Sequence, residues 1–311
     1  MNTGISLNDL FERRVEFPDI TAQERLGRLV GVDQQKNRLA KILGILVNPS
    51  GLEEWGKKFH PDARELIHRV LYRPPLVVLA GDVGTGKTEI AETIGDTVAR
   101  LEKIDITLFP LSLSTRGQGR VGEMTQLVSA AFDHTIAEAN KLKSPQGKAR
   151  GGIILLIDEA DALAQSREAS QMHHEDRAGV NALIRGVDRI NNNRLPAVVV
   201  MCTNRLGALD PAVKRRAAEI LIFERPNEEQ RRHVLKNALK TVGLSAEQIE
   251  IVVTETGPVN GRNYGFTYSD LTQRLLPSIV LDAYPNNSIN PHRVLQIAEG
   301  IVPTPPFQEA L

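Results

Sequence analysis

The sequence predicts a doubly wound α/β fold followed by a smaller helical domain, on three observations. Short apolar runs without polar alternation recur through the first two thirds of the chain, and helical periodicity fills the intervals between them. Beyond Pro226 the helical pattern continues while the apolar runs stop. A strand covered on both faces reads as an unbroken apolar run, and such strands separated by helices build a parallel sheet with helices on either side.

The elements follow in order. Residues 1–26 read as a short N-terminal segment that mixes charges with apolar positions (NDLFERRVEFPD). Residues 76–80, 153–157 and 197–201 read as buried strands, and a less clean one lies around 106–113. Helices are expected over 89–101, 123–143 and 177–190, with loops at 144–152 and 191–194. These place a large α/β domain over 27–226 and a small helical lid over 227–311, ending in the Pro-rich PTPPF.

Composition removes several classes of function. Lys+Arg and Asp+Glu both number 38, so there is no global field to attract nucleic acid or an anionic membrane. No apolar run approaches the ~18 residues that span a bilayer, and the chain reads as a soluble, cytoplasmic protein without a membrane partner. The single cysteine, Cys202, excludes an internal disulfide and sits in an apolar run, as a core residue would.

The strongest chemical signal is Gly81-Asp82-Val83-Gly84-Thr85-Gly86-Lys87-Thr88, a complete G-x-x-x-x-G-K-T run with Glu89 following in the first helical turn. It leaves the apolar strand PLVVLA and opens a helix, the context a phosphate-binding loop requires. Glycines let the loop wrap a phosphate with its N–H groups turned inward, and the helix N-terminus adds partial positive charge. Lys87 would meet the β and γ phosphates of ATP, and the Thr88 hydroxyl would ligate Mg²⁺. A second run, Ile153-Ile154-Leu155-Leu156-Ile157-Asp158-Glu159, ends a strand in two acids at the carboxyl edge of the sheet, where open α/β folds bind ligands. Asp158 would hold Mg²⁺ and Glu159 would orient the attacking water.

A third run, Val198-Val199-Val200-Met201-Cys202-Thr203-Asn204, precedes Leu209-Asp210-Pro211-Ala212-Val213-Lys214-Arg215-Arg216. Here the chain resembles the AAA+ ATPases over residues 27–226. The resemblance implies a P-loop NTPase fold, Asn204 as the sensor-1 polar residue, and an arginine finger offered to a neighbouring subunit. Arg28-Leu29-Val30-Gly31-Val32-Asp33 is similar to the segment that packs on adenine, with Gly31 lending backbone contacts; an ordinary helix start reads equally well. Arg274 is the candidate sensor-2 residue, with Leu271 an alternative register. An exposed helix arginine is an equally good account of Arg274.

Within AAA+, the stretch VNALIRGVDRI, the VVVMCTN strand and the pattern ending Arg216-Ala217 resemble the pachytene-checkpoint type, which remodels HORMA-domain proteins. On that alignment Arg216 is the finger and Arg215 the runner-up. The resemblance implies a homo-hexamer that uses ATP to open a closed HORMA protein. It also implies a bacterial setting in which that protein activates an anti-phage nucleotidyltransferase. Two features depart from the family. Eukaryotic members carry a substantial N-terminal domain where residues 1–26 stand here, so the reading expects a short form that engages substrate differently. In the segment aligned with the pore loop, Gly119-Arg120-Val121, Arg120 stands where an aromatic residue usually grips substrate.

Two patterns are set aside. Gly117, Gly119 and Gly122 spell G-x-G-x-x-G but lack the strand context and downstream acid of a dinucleotide site. His173-His174-Glu175-Asp176 has metal-ligand chemistry without the i, i+4 spacing of a zinc site, and reads as a charged loop. A DNA-associated motor or clamp-loader-like ATPase is the alternative, opposed by the neutral charge and the lack of a basic cluster. A non-hydrolysing scaffold is the third class, opposed by intact Lys87, Asp158 and Glu159.

Overall fold

The computed structural model of the protein describes residues 10–113, 123–144, 149–163, 173–259 and 261–307. The chain forms two compact units. The first comprises residues 1–27, 34–80 and 88–222; the second interleaves with it along the sequence, comprising 28–33, 81–87 and 223–311.

The sheet has six strands: β1 (Val15–Phe17), β2 (Leu76–Gly81), β3 (Asp105–Ser112), β4 (Gly151–Asp158), β5 (Ala197–Thr203) and β6 (Glu219–Phe223), in the order β1-β3-β4-β5-β2-β6. β3 pairs parallel with β4, β4 with β5 and β5 with β2, while β1 runs antiparallel at the edge. All of Ala197–Thr203 is at most 1% exposed, which accounts for the missing polar alternation. Each such Val, Leu or Ile contributes about 1.5–3 kcal/mol on burial. Register aligns Ala80 with Thr203 and Ser112 with Asp158, so the strands deliver their last residues to one carboxyl edge.

Helices α1 (Ile20–Arg28), α2 (Asp33–Val47), α3 (Pro49–Phe59) and α4 (Arg64–Leu71) precede β2. They are followed by α5 (Lys87–Glu102), α6 (Glu123–Leu142), α7 (His173–Asn192) and the single turn α8 (Pro211–Lys214). On α6, Leu127, Val128, Ala131, Phe132, Thr135, Ile136 and Ala139 form one buried stripe at helical spacing. Residues 173–176 open α7 rather than forming the expected loop.

The described part of the N-terminal segment is built into the first unit. Phe17 is 2% exposed, Asp19 caps α1 by accepting from the Ala22 N–H at 2.9 Å, and the Asp19 N–H donates to Asp96 Oδ1 at 2.8 Å. Cys202 is buried. Among the described residues, no helix is long and apolar enough to cross a membrane.

The second unit carries α9 (Glu228–Leu239), α10 (Ala246–Glu255), a π-helical stretch (Asp270–Leu275) running into α11 (Leu276–Ala283), and α12 (Pro291–Gly300). α9 and α10 each open with a capping box, Asn227 with Gln230 and Ser245 with Gln248, in which side chain and backbone satisfy each other reciprocally.

Candidate functional site

The phosphate-loop sequence leaves β2 and turns through Gly84 and Gly86, at φ +75° and +94°. Gly84 also lacks room for a side chain, because a Cβ there would lie 2.7 Å from Thr267 Oγ1 and 2.9 Å from Ser269 Cβ. The Ser269 N–H donates to the Gly84 carbonyl at 3.1 Å. Lys87 is 6% exposed, and its Nζ donates to the Gly81 and Asp82 carbonyls, each at 2.7 Å. The ammonium thus lies folded on its own loop, while Thr85 Oγ1 donates to the Asp82 carbonyl at 2.8 Å. Val83, at the apex, is exposed.

The Asp82 carboxylate faces a different set of partners. Arg225 Nε donates to it at 2.8 Å and the Phe307 N–H at 3.0 Å. Arg225 Nη1 in turn donates to the carbonyls of Gly265 and Thr304, each at 2.8 Å. Neither Arg225 nor the segment around Thr304 was singled out from sequence, because both act on residues far along the chain.

Thr88, the next residue after Lys87, begins the portion of α5 that belongs to the first unit. Its hydroxyl donates to the Asp158 carboxylate, which also accepts from the Glu159 N–H at 2.8 Å. Burial pushes Asp158 above the usual carboxylate range, against the pull of these two hydrogen bonds. A hydroxyl beside a desolvated carboxylate fits Mg²⁺: both are hard oxygen donors, and a cation would relieve the cost of the buried charge. Glu159 is exposed at the strand end with φ +53°, a left-handed conformation uncommon outside glycine.

Asp161 is the functional residue that the sequence reading missed. It is 9% exposed and accepts from the Thr203 hydroxyl, from the Asn204 N–H at 3.0 Å and from the Arg205 N–H at 3.1 Å. The acid therefore fixes the turn that ends β5 and places Asn204 beside the Asp158–Glu159 strand end. The signal was present in the run Asp158-Glu159-Ala160-Asp161, whose helical turn (Ala160–Leu163) carries the second Asp back toward β5.

Other candidates have partners of their own. The Glu89 carboxylate is held by Arg25 through Nε at 2.8 Å and Nη2 at 2.9 Å. Gly31, at φ +76°, accepts at its carbonyl from Gln230 Nε2 at 2.7 Å. Arg216 makes a two-point pair with Asp188, Nε at 2.9 Å and Nη2 at 3.0 Å, while Arg215 is exposed. Arg274 Nη1 donates to Asp270 Oδ1 at 2.9 Å and to the Val302 carbonyl at 3.0 Å, and Leu271 is fully buried. Gly119, Arg120 and Val121, together with the G-x-G-x-x-G run, lie outside the described residues.

Comparison with known proteins was made against this geometry. Residues 77–225 match the family described as "ATPase family associated with various cellular activities (AAA)". The chain is 67% identical over 307 residues to CD-NTase-associated protein 6 of Escherichia coli (strain MS 115-1), covering 99% of each chain. It is similar to a chain in the structure of the E. coli MS115-1 HORMA:CdnC:Trip13 complex, with TM-score 0.90, 66% identity and coverage of 97% and 99%. It also resembles Rhizobiales Trip13, with TM-score 0.75, 55% identity and coverage of 96% and 100%. The FIGL-1 AAA domain in complex with ADP shares the fold, with TM-score 0.62 at 20% identity over 96% and 90% of the two chains.

Proposed function

The chain belongs to the CD-NTase-associated protein 6 family of AAA ATPases, and from that premise we propose that it is an ATP-driven remodeller of HORMA-domain proteins. It works as a homo-hexamer in the cytoplasm, opens a closed HORMA partner, and so withdraws the activator from an anti-phage nucleotidyltransferase. The observation that carries the ATPase half is the Thr88–Asp158 pair with Glu159 beside it, one residue along the chain from the Lys87 loop. The remodelling half is supported by near full-length identity to a chain of the HORMA:CdnC:Trip13 complex.

The roles follow from the chemistry. Lys87 exchanges the carbonyls of Gly81 and Asp82 for the β and γ phosphates, which the backbone N–H groups of residues 83–88 also hold. Thr88 and Asp158 ligate Mg²⁺, which when bound neutralises charge on the phosphate oxygens. Glu159 orients the attacking water and takes up its proton. Asn204, fixed through Asp161, supplies a polar contact at the γ end. Arg216 of one subunit completes the site of the next, leaving Asp188 to do so. Gly31 contacts the base, and Arg274 remains a lid-side candidate.

The decisive experiment mixes the protein with a closed, peptide-bound HORMA partner. With ATP and Mg²⁺, size-exclusion chromatography should resolve the complex into free HORMA protein and peptide; with a non-hydrolysable analogue it should stay intact. A complex that persists with ATP, while ATP is being hydrolysed, overturns the remodelling assignment and leaves the ATPase standing.

A further inference from the structure

The segment around residue 268 lies against two parts of the nucleotide-binding apparatus at once. Thr267 and Asp270 hold each other reciprocally: the Thr267 N–H donates to Asp270 Oδ2 at 3.0 Å and the Asp270 N–H to Thr267 Oγ1 at 3.1 Å. That turn fixes what stands between them. Thr267 and Ser269 press on the phosphate loop at Gly84, where neither leaves space for a Cβ. Tyr268, between these two, reaches the other way to Gly31. A Cβ on Gly31 would lie 2.3 Å from the Tyr268 hydroxyl and 2.8 Å from Gln230 Nε2, and φ +76° independently demands glycine there.

The Tyr268 side chain is thus held between the phosphate loop and the Gly31 turn, with only 9% of the residue exposed. Its hydroxyl is buried and has no hydrogen-bond partner. Burial, reinforced by the charge of Asp33, pushes the phenol up to about 12, so it stays a neutral O–H donor throughout the working pH range. Buried hydroxyls are nearly always satisfied, and an orphan in a native fold marks a place where something else supplies the partner. A phosphate loop fixes where the nucleotide's phosphates lie, and a binding site combines an apolar wall with a few polar groups that orient the ligand.

We propose that Tyr268 is a nucleobase-binding residue: its ring walls the base site beside Gly31, and its hydroxyl donates to a ring nitrogen of the purine. This rests on the ATPase reading and adds to it a specific polar contact. The side chain is absent from every motif by which the loop was recognised, and nothing in the chain's internal hydrogen bonding requires the hydroxyl.

The test is Tyr268→Phe in the full chain, with binding followed by displacement of the ribose-labelled fluorescent analogue N-methylanthraniloyl-ADP. Two competitors are compared: ADP, which carries the base, and inorganic tripolyphosphate, which does not. The expected result is ADP affinity weakened about 3- to 10-fold, the range of one neutral hydrogen bond. Tripolyphosphate affinity should be unchanged, and the ligand-free melting temperature equal to or above that of the wild type. Unchanged ADP affinity overturns the proposal. So does equal weakening of both competitors, which would mean that Tyr268 shapes the phosphate loop, and so does a lower melting temperature with ADP binding intact. If the wild type itself failed to bind ADP, the ATPase reading would fall and take this one with it; wild-type binding with an unaffected Tyr268→Phe removes this one alone.

Discussion

Glu159 holds a left-handed backbone, which costs a non-glycine residue of order 1–3 kcal/mol and persists mainly at functional positions. Two substitutions separate the backbone from the carboxylate. Glu159→Gln keeps the strain and removes the base; it should bind ATP with near wild-type affinity and hydrolyse it at least ~10²-fold more slowly. Glu159→Gly should be equally inactive but melt at a higher temperature, because glycine relieves the strain. Turnover assays and thermal melts check both, and wild-type hydrolysis by Glu159→Gln would remove the residue from the reaction. The loop and the Asp158–Glu159 strand end could be read from sequence because their chemistry needs fixed residue types at fixed spacing along contiguous chain. Asp161, Arg225 and Tyr268 could not, since each acts on a residue that only folding brings near: Asn204, Asp82 and Gly31 respectively.

At the level of elements, the strands that were legible are those covered on both faces. β1 and β6 were not, because these short edge strands expose alternate residues and never form an apolar run. α3 and α4 were equally silent: Gly56 is their one buried residue, so no stripe announces them. In the second unit the π-helical stretch is organised by Asp270, which is fully buried. Burial alone would raise its pKa, but hydrogen bonds from the Thr267 N–H, the Thr304 hydroxyl, the Thr304 N–H and Arg274 outweigh it and hold the carboxyl below the usual range. A depressed carboxylate adds stability that is complete above the unfolded value of about 3.9 and is lost as pH falls through the folded value. Asp270→Asn should therefore cost about 1–3 kcal/mol at neutral pH and flatten the loss of stability on acidification. Melts at pH 7 and pH 3 test this; a variant as stable as wild type at pH 7 would mean that the network contributes nothing net.

For the whole molecule, the reading that matters is catalysis shared between subunits. Arg216 is two-point bonded to Asp188 and about one third exposed, so as a surface pair alone it is worth ~1 kcal/mol or less. As an arginine finger its removal should cost about 10³ to 10⁵ in rate, the effect measured in GTPases. Lys87→Ala and Arg216→Ala proteins should each be inactive, and co-assembled mixtures should recover ATPase at interfaces pairing an intact Lys87 with an intact Arg216. Background activity at every ratio, and also in a tandem-linked dimer with one good interface, would end the idea of action in trans. The same assay with Arg215→Ala tells which of the adjacent arginines does the work.

The bond between Asp82 and Phe307 joins residues 225 positions apart. Translation adds roughly 5–20 residues per second, so on the order of ten seconds or more separates synthesis of the loop from synthesis of the residue that holds its Asp. Thr267, Ser269 and Arg225, which also press on or bond the loop, come more than a hundred positions after it. The central strands of the sheet can pair while the phosphate loop still waits for these supports. In the life of a nascent chain, the segment made early for binding nucleotide is among the last to be finished, and competence to bind arrives after synthesis rather than during it.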